Sequence, residues 1–151
     1  MAISILVMQG LVHQASATNL STSISANPVN VVKNQQSTLA AKGTVAMTST
    51  GDKLSPSSTY FIYVEFWKNG PVGNDFVNGC ATVAYVDAKH PMSSYSCTAQ
   101  VHPSKDVGFI FGKKTVTYYA KVTAKRDSVT HPKSVTTTTS KNTVTVNCIK
   151  C

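Results

Sequence analysis

The chain has 151 residues with a net charge of +8, and only 13% of its residues are charged. That length allows one domain with a substantial core and excludes two large ones. The charged fraction is far below the roughly 25% of ordinary soluble domains. Thr, Ser, Val and Ala take the space, and β-branched side chains suit a pleated surface better than a helix. The charge is uneven: Lys105 to Cys151 carry nine basic residues against Asp106 and Asp127, a net +7. Arg126 is the only arginine, and bidentate phosphate readers favour arginine. Nucleic acid is therefore not the expected partner, and the lysines read as a solvated surface, with anionic glycans or lipid headgroups as the alternative.

The amino terminus, residues 1–17, reads MAISILVMQGLVHQASA. Its apolar run includes Ile3, Ile5, Leu6 and Val7, and Ala15-Ser16-Ala17 has the form of a signal-peptidase site. A basic n-region is missing, and the segment is far too short to span a bilayer. Two readings stay open: a cleaved secretion signal, or a retained segment that adds as a donor strand to a neighbour's sheet edge. The domain itself is expected over 18–151. Asn19-Leu20-Ser21 is the only Asn-x-Ser/Thr sequon and makes Asn19 a glycosylation candidate.

From Thr18 onward, strand signals alternate with turn residues at short intervals. Ser23 to Val32 predicts an edge strand broken at Pro28. Leu39, Ala41, Gly43, Val45 and Met47 alternate with polar and small residues, giving a second strand with one buried face. A Ser/Pro/Gly-rich loop leads to Tyr60–Lys68, the strongest strand signal, closed by Asn69-Gly70-Pro71. Phe76–Asp87 and Ser93–His102 predict a hairpin around Ala88-Lys89-His90-Pro91. Lys114–Lys125 and Asn142–Ile149 complete seven strands, and Thr136–Thr139 predicts an exposed edge or linking segment. No stretch has a helical period of useful length.

Two stretches resemble a known family. Asn27-Pro28-Val29 through Gln36–Val45 resembles the first hairpin of immunoglobulin-like domains of microbial surface proteins. Thr117-Tyr118-Tyr119-Ala120-Lys121-Val122-Thr123 is similar to strand F of immunoglobulin and fibronectin type III domains. The resemblance implies an all-β, immunoglobulin-like antiparallel β-sandwich of about seven strands, preceded by the amino-terminal apolar segment. It also implies a tyrosine-corner role for Tyr118 and puts Ala120 where such domains carry their second core cysteine. With no cysteine on the second strand, the inter-sheet disulfide of that family is not expected.

Alternation assigns the faces. Val116, Tyr118, Ala120, Val122 and Ala124 point inward. On the Tyr60 strand, burying the Phe61/Tyr63/Glu65/Trp67 face would bury a carboxylate at high cost, so Ile62, Val64 and Phe66 are expected inside. That leaves Tyr63 and Trp67 outside, beside the outward Tyr119, Lys121 and Lys125, as a candidate aromatic and cationic surface patch. The even count of four cysteines suits disulfides and an oxidising compartment. Cys80 and Cys97 are expected opposite each other on the hairpin, and Cys148 and Cys151 serve as a terminal clasp or a bridge elsewhere. Isolated acids and the absence of any nucleophile elbow, phosphate loop or zinc-helix motif point away from an enzyme, and neither a cofactor nor a metal is expected. The expected role is structural: a secreted or cell-surface subunit that self-associates into a filament, pilus or surface assembly through its amino-terminal segment. The alternative is a secreted glycan-binding or adhesion module using the patch.

Overall fold

The computed structural model describes residues 18–47, 57–70, 73–87, 89–107, 115–127 and 135–149. Among them are nine strands and one single-turn helix. The strands are β1 (Thr18–Asn27), β2 (Asn30–Val31), β3 (Ser37–Met47), β4 (Ser57–Asn69), β5 (Asn74–Asp87) and β6 (Met92–Val101). After helix α1 (Pro103–Asp106) come β7 (Thr115–Asp127), β8 (Val135–Thr139) and β9 (Val144–Cys148). A smaller sheet has the order β1-β3-β6, and a larger one has the order β2-β9-β7-β4-β5, with β8 also on β7. The fold is the expected immunoglobulin-like β-sandwich. Its pairings are antiparallel except β2 on β9, which is parallel.

Two expectations about connectivity are corrected. The first strand does not merely break at Pro28 but changes sheets there. β1 pairs with β3, whereas β2 joins β9, with the Val29 carbonyl accepting from Asn147 N at 2.8 Å. Proline has no N–H to continue the first ladder. Secondly, β5 and β6 do not form a hairpin. β5 pairs with β4 and β6 with β3, so the chain passes from one sheet to the other between Asp87 and Met92. The Thr136–Thr139 run, expected as an exposed edge or linking segment, lies in β8, which pairs only with β7 among the described residues; β8 and β9 pair with successive parts of β7, on either side of a break at 140–143.

The core lies between the sheets. Leu39, Ala41 and Val45 of β3 meet Ile62, Val64 and Phe66 of β4 and Tyr118, Ala120 and Val122 of β7, all buried. The expected faces of β4 and β7 are the observed ones, with Tyr60 also buried. Gly43 is required here. A Cβ at that position would run into the Ser21 carbonyl oxygen and the Tyr95 hydroxyl, because Tyr95 crosses over β3 to donate to Ser21 O at 2.7 Å. Tyr118 is fully buried, and its hydroxyl donates to Asp106 Oδ2 at 2.7 Å. This ties the strand back to the α1 turn through a side-chain carboxylate, whereas a tyrosine corner bonds an upstream backbone group. The same turn is held by Lys68 Nζ, which donates to the Asp106 carbonyl at 3.3 Å.

Both open sides of the sandwich are stitched. On one, the Cys80–Cys97 disulfide joins β5 to β6 with Cα atoms 6.1 Å apart, and Asn78 Nδ2 donates to Gln100 O at 2.7 Å. The pairing expected from sequence is present, but it clamps two sheets rather than two arms of a hairpin. On the other side, the break between β8 and β9 reaches β1. Asn142 Oδ1 accepts from Ile24 N at 3.1 Å, and its Nδ2 donates to Ile24 O at 2.7 Å. One amide side chain thus satisfies both backbone groups of an edge residue. Cys148 is also disulfide-bonded, and Cys151 lies outside the described residues.

Candidate functional site

The registers of β5, β4, β7 and β8 place outward side chains in rows across the larger sheet. Val83 lies beside Phe61, then Lys125 and Val135. The next row is Ala81, Tyr63, Thr123 and Thr137, followed by Gly79, Glu65, Lys121 and Thr139. Phe76, Trp67 and Tyr119 form another row, and Tyr85 sits beside Thr59 at the opposite end. Tyr63, Trp67, Tyr119, Lys121 and Lys125 therefore share one face. Of the ten large apolar side chains exposed among the described residues, six are on it: Phe61, Tyr63, Phe76, Val83, Tyr85 and Val135.

Local contacts give this face its shape. Lys125 Nζ sits 5.0 Å from the Tyr63 ring centroid, a cation–π contact. Trp67 and Phe76 meet edge-to-face, with centroids 5.8 Å apart. Gly79 leaves room for the Val64 carbonyl, which a Cβ there would crowd. Trp67 is half-buried and outward, and its Nε1 donates to Glu65 Oε2 at 3.4 Å. In the immunoglobulin comparison this tryptophan would pack inward against a core disulfide. Here Ala120 occupies the cysteine position and is fully buried, and Glu65 keeps its strand face turned to solvent. Toward β8 and β9 the face becomes a hydroxyl surface, with Thr123 against Thr137 at 3.1 Å and Thr117 against Thr145 at 3.0 Å.

The smaller sheet presents a different exterior. Ser21, Ser23 and Ser25 alternate with buried Thr22 and Ile24 on β1, and Ser94, Ser96 and Thr98 are their counterparts on β6. Asn19 is exposed there, beside Ala46 in the β1–β3 register. The two faces of the sandwich are thus chemically opposite, one aromatic and the other small and polar. The sequence patch missed Phe76, Val83 and Tyr85. On β5 apolar residues occupy both parities, Ala84 and Val86 as well as Val83 and Tyr85, so alternation alone does not assign its face. The partner strand's register does.

Other polar groups serve the fold. Asp87 caps the turn that follows β5, accepting from His90 N at 2.6 Å and Lys89 N at 2.8 Å. The His90 backbone N–H in particular holds the Asp87 carboxyl below its usual range. Burial pushes the Tyr95 hydroxyl up. It also pushes up Tyr118, to which the Asp106 carboxylate adds. Among the described residues no group of three or more His, Cys, Asp or Glu is placed to hold a metal ion, and no helix is long and apolar enough to cross a membrane. Ile3, Ile5, Leu6 and Val7 lie outside the described residues.

No known family model and no curated protein matches the chain. Among solved structures, beta-glucuronidase 2 of Bacteroides uniformis is similar at 14% identity and a TM-score of 0.48, over 79% of this chain and 12% of that one. The CARDB domain of a Pyrococcus furiosus protein, in complex with di-metal ions, is similar at 13% identity and a TM-score of 0.43, over 90% of this chain and 97% of that one. The chain spans 12% of the length of the glucuronidase. Neither likeness assigns a function.

Proposed function

We propose that the chain is a non-catalytic structural module of an extracellular assembly, and that the outward face of the larger sheet is its contact surface. The observation that carries this reading is the contrast between the two exteriors, aromatic on one and Ser/Thr-rich on the other. Five side chains on this face, Phe61, Tyr63, Phe76, Val83 and Tyr85, remain 39–69% exposed. At about 150–250 Å² per large side chain they offer on the order of 500 Å² of apolar surface, the size at which patches on monomers tend to be functional. Leaving that area wet costs solvation free energy that a partner surface would recover. The intramolecular disulfide supports an oxidising, extracellular setting.

In this reading the amino-terminal segment, with Ile3, Ile5, Leu6 and Val7, adds to a neighbouring copy as a strand. The edge we assign to it is that of β5, one of several terminal strands among the described residues, paired there with β4 and bridged to β6 by side chains only. Sedimentation velocity over a range of concentrations tests both elements. Self-association that weakens in Tyr85→Ser and Val83→Ser supports the face, and weakening on removal of 1–17 supports the added strand. A chain that stays monomeric at high concentration sinks the assembly reading. A second reading, a glycan-binding or adhesion module, is favoured by Trp67 beside Tyr119, one row from Lys121, whose ammonium is in no ion pair among the described residues. Titration with anionic and neutral oligosaccharides that leaves Trp67 fluorescence unchanged counts against it.

A further inference from the structure

We propose that Asn19 carries an N-linked glycan, placed on the small polar exterior opposite the aromatic face. Asn19 is the only sequon asparagine in the chain, followed by Leu20 and Ser21. It is exposed near the start of β1, and β1 is an edge strand of the smaller sheet. Its cross-strand partner is Ala46, and Ser21 is the next outward residue on its own strand. Both are small, so the immediate neighbours leave a bulky sugar room, and the large side chain in its row is the exposed Met92 of β6, beyond Ala46. Leu20 points the other way and packs against the core, which holds Asn19 outward once the domain has folded. The Cys80–Cys97 bridge is an independent sign that the chain folds where oxidation occurs, and N-glycosylation marks surface positions of secreted chains.

The fold also fixes when the sugar must be added. In the folded chain the Ser21 hydroxyl is engaged, 2.8 Å from the Thr44 hydroxyl and accepting from Thr44 N at 3.1 Å. The sequon is then locked in an extended strand paired to β3, whereas a transferase must reach both the asparagine amide and the hydroxyl two residues on. Because β1 is made before β3, the window is open while the chain is being synthesised and closes when the two strands pair. In the transfer, Asn19 Nδ2 bonds to C1 of the first sugar of a lipid-linked oligosaccharide pyrophosphate. The C1–O bond breaks, its electron pair leaves with the lipid pyrophosphate, and the amide proton passes to a base of the transferase.

The test is peptide mapping of the full chain secreted from a eukaryotic host, with and without peptide-N-glycosidase. The expected result is a glycopeptide containing Asn19 whose asparagine is converted to aspartate on deglycosylation. Asn19→Gln and Ser21→Ala should each abolish it, while an intact Cys80–Cys97 peptide shows that the variants have folded. Recovery of the Asn19 peptide fully unmodified from disulfide-bonded wild-type protein overturns the proposal. A second arm uses cell-free translation. Microsomes present during synthesis should glycosylate the chain, and microsomes added after folding should not; equal modification in both overturns the timing.

Discussion

Replacing both cysteines of the inter-sheet clamp, Cys80→Ala with Cys97→Ala, tests the mechanics of the sandwich. The bridge joins residues 17 apart in sequence, and a closed loop of that length removes about 10 cal/mol/K of entropy from the unfolded chain, about 3 kcal/mol at 25 °C. The loss should be about that large, because among the described residues β5 and β6 share no backbone ladder and are otherwise joined by the Asn78 side chain. Mutation is preferable to a reductant, since Cys148 is also in a disulfide and would be reduced at the same time. Urea unfolding at pH 7 should show the midpoint falling, with a corresponding drop of about 10 °C in Tm for a domain of this size. Hydrogen exchange should rise along β5 and β6 before β4 and β7, as the two edges part. A loss below about 1 kcal/mol, or an even rise in exchange over all strands, would refute the claim that this bond holds the sheets together on that side.

Three further outcomes follow from the same structure. Asn142→Ala strips Ile24 of its partners for both N–H and C=O at a buried position, so urea unfolding should register a loss of about 1–3 kcal/mol, with Asn142→Asp in between. Gly43→Ala should be worse, because its Cβ collides with the Ser21 carbonyl and the Tyr95 hydroxyl; failure to accumulate as soluble protein, or a loss above about 3 kcal/mol, is expected. Stability should also decline above about pH 10. The unfolded tyrosines lose their protons there, while Tyr118 and Tyr95, raised by burial, keep theirs when folded. Tyr118→Phe should flatten that alkaline slope and reduce stability below pH 10, where the bond to Asp106 is lost; urea titrations at pH 7 to 11 read both effects.

Much of this fold was legible in the sequence, for local reasons. Strict alternation exposed the inward faces of β3 and β7, and one residue, Glu65, decided β4, where aromatic content alone suggested either face. The immunoglobulin resemblance, taken literally, would have buried Trp67. The cost of burying an unpaired carboxylate was the better guide. What alternation could not supply was the partner of each strand. Ala88-Lys89-His90-Pro91 looks the same whether the chain turns within a sheet or crosses between two, so β5 and β6 were wrongly joined although the Cys80–Cys97 pairing was right. The break at 140–143 was equally hidden, because Asn142 acts through its side chain on Ile24, 118 residues away in sequence. The candidate face was half-read for the same reason. Tyr63, Trp67, Tyr119, Lys121 and Lys125 follow from parity on two strands, whereas Phe76, Val83 and Tyr85 join them only once β5 is laid on β4.

The central claim is that the aromatic exterior of the larger sheet becomes covered when the protein does its work. Hydroxyl-radical footprinting of the dilute chain against its native assembled form measures this side chain by side chain. Phe61, Phe76 and Tyr85 should lose reactivity on assembly, while Met92, on the opposite exterior, stays as reactive as before. Unchanged labelling of the three aromatics in the assembled material, or protection confined to the serine and threonine exterior, would contradict it.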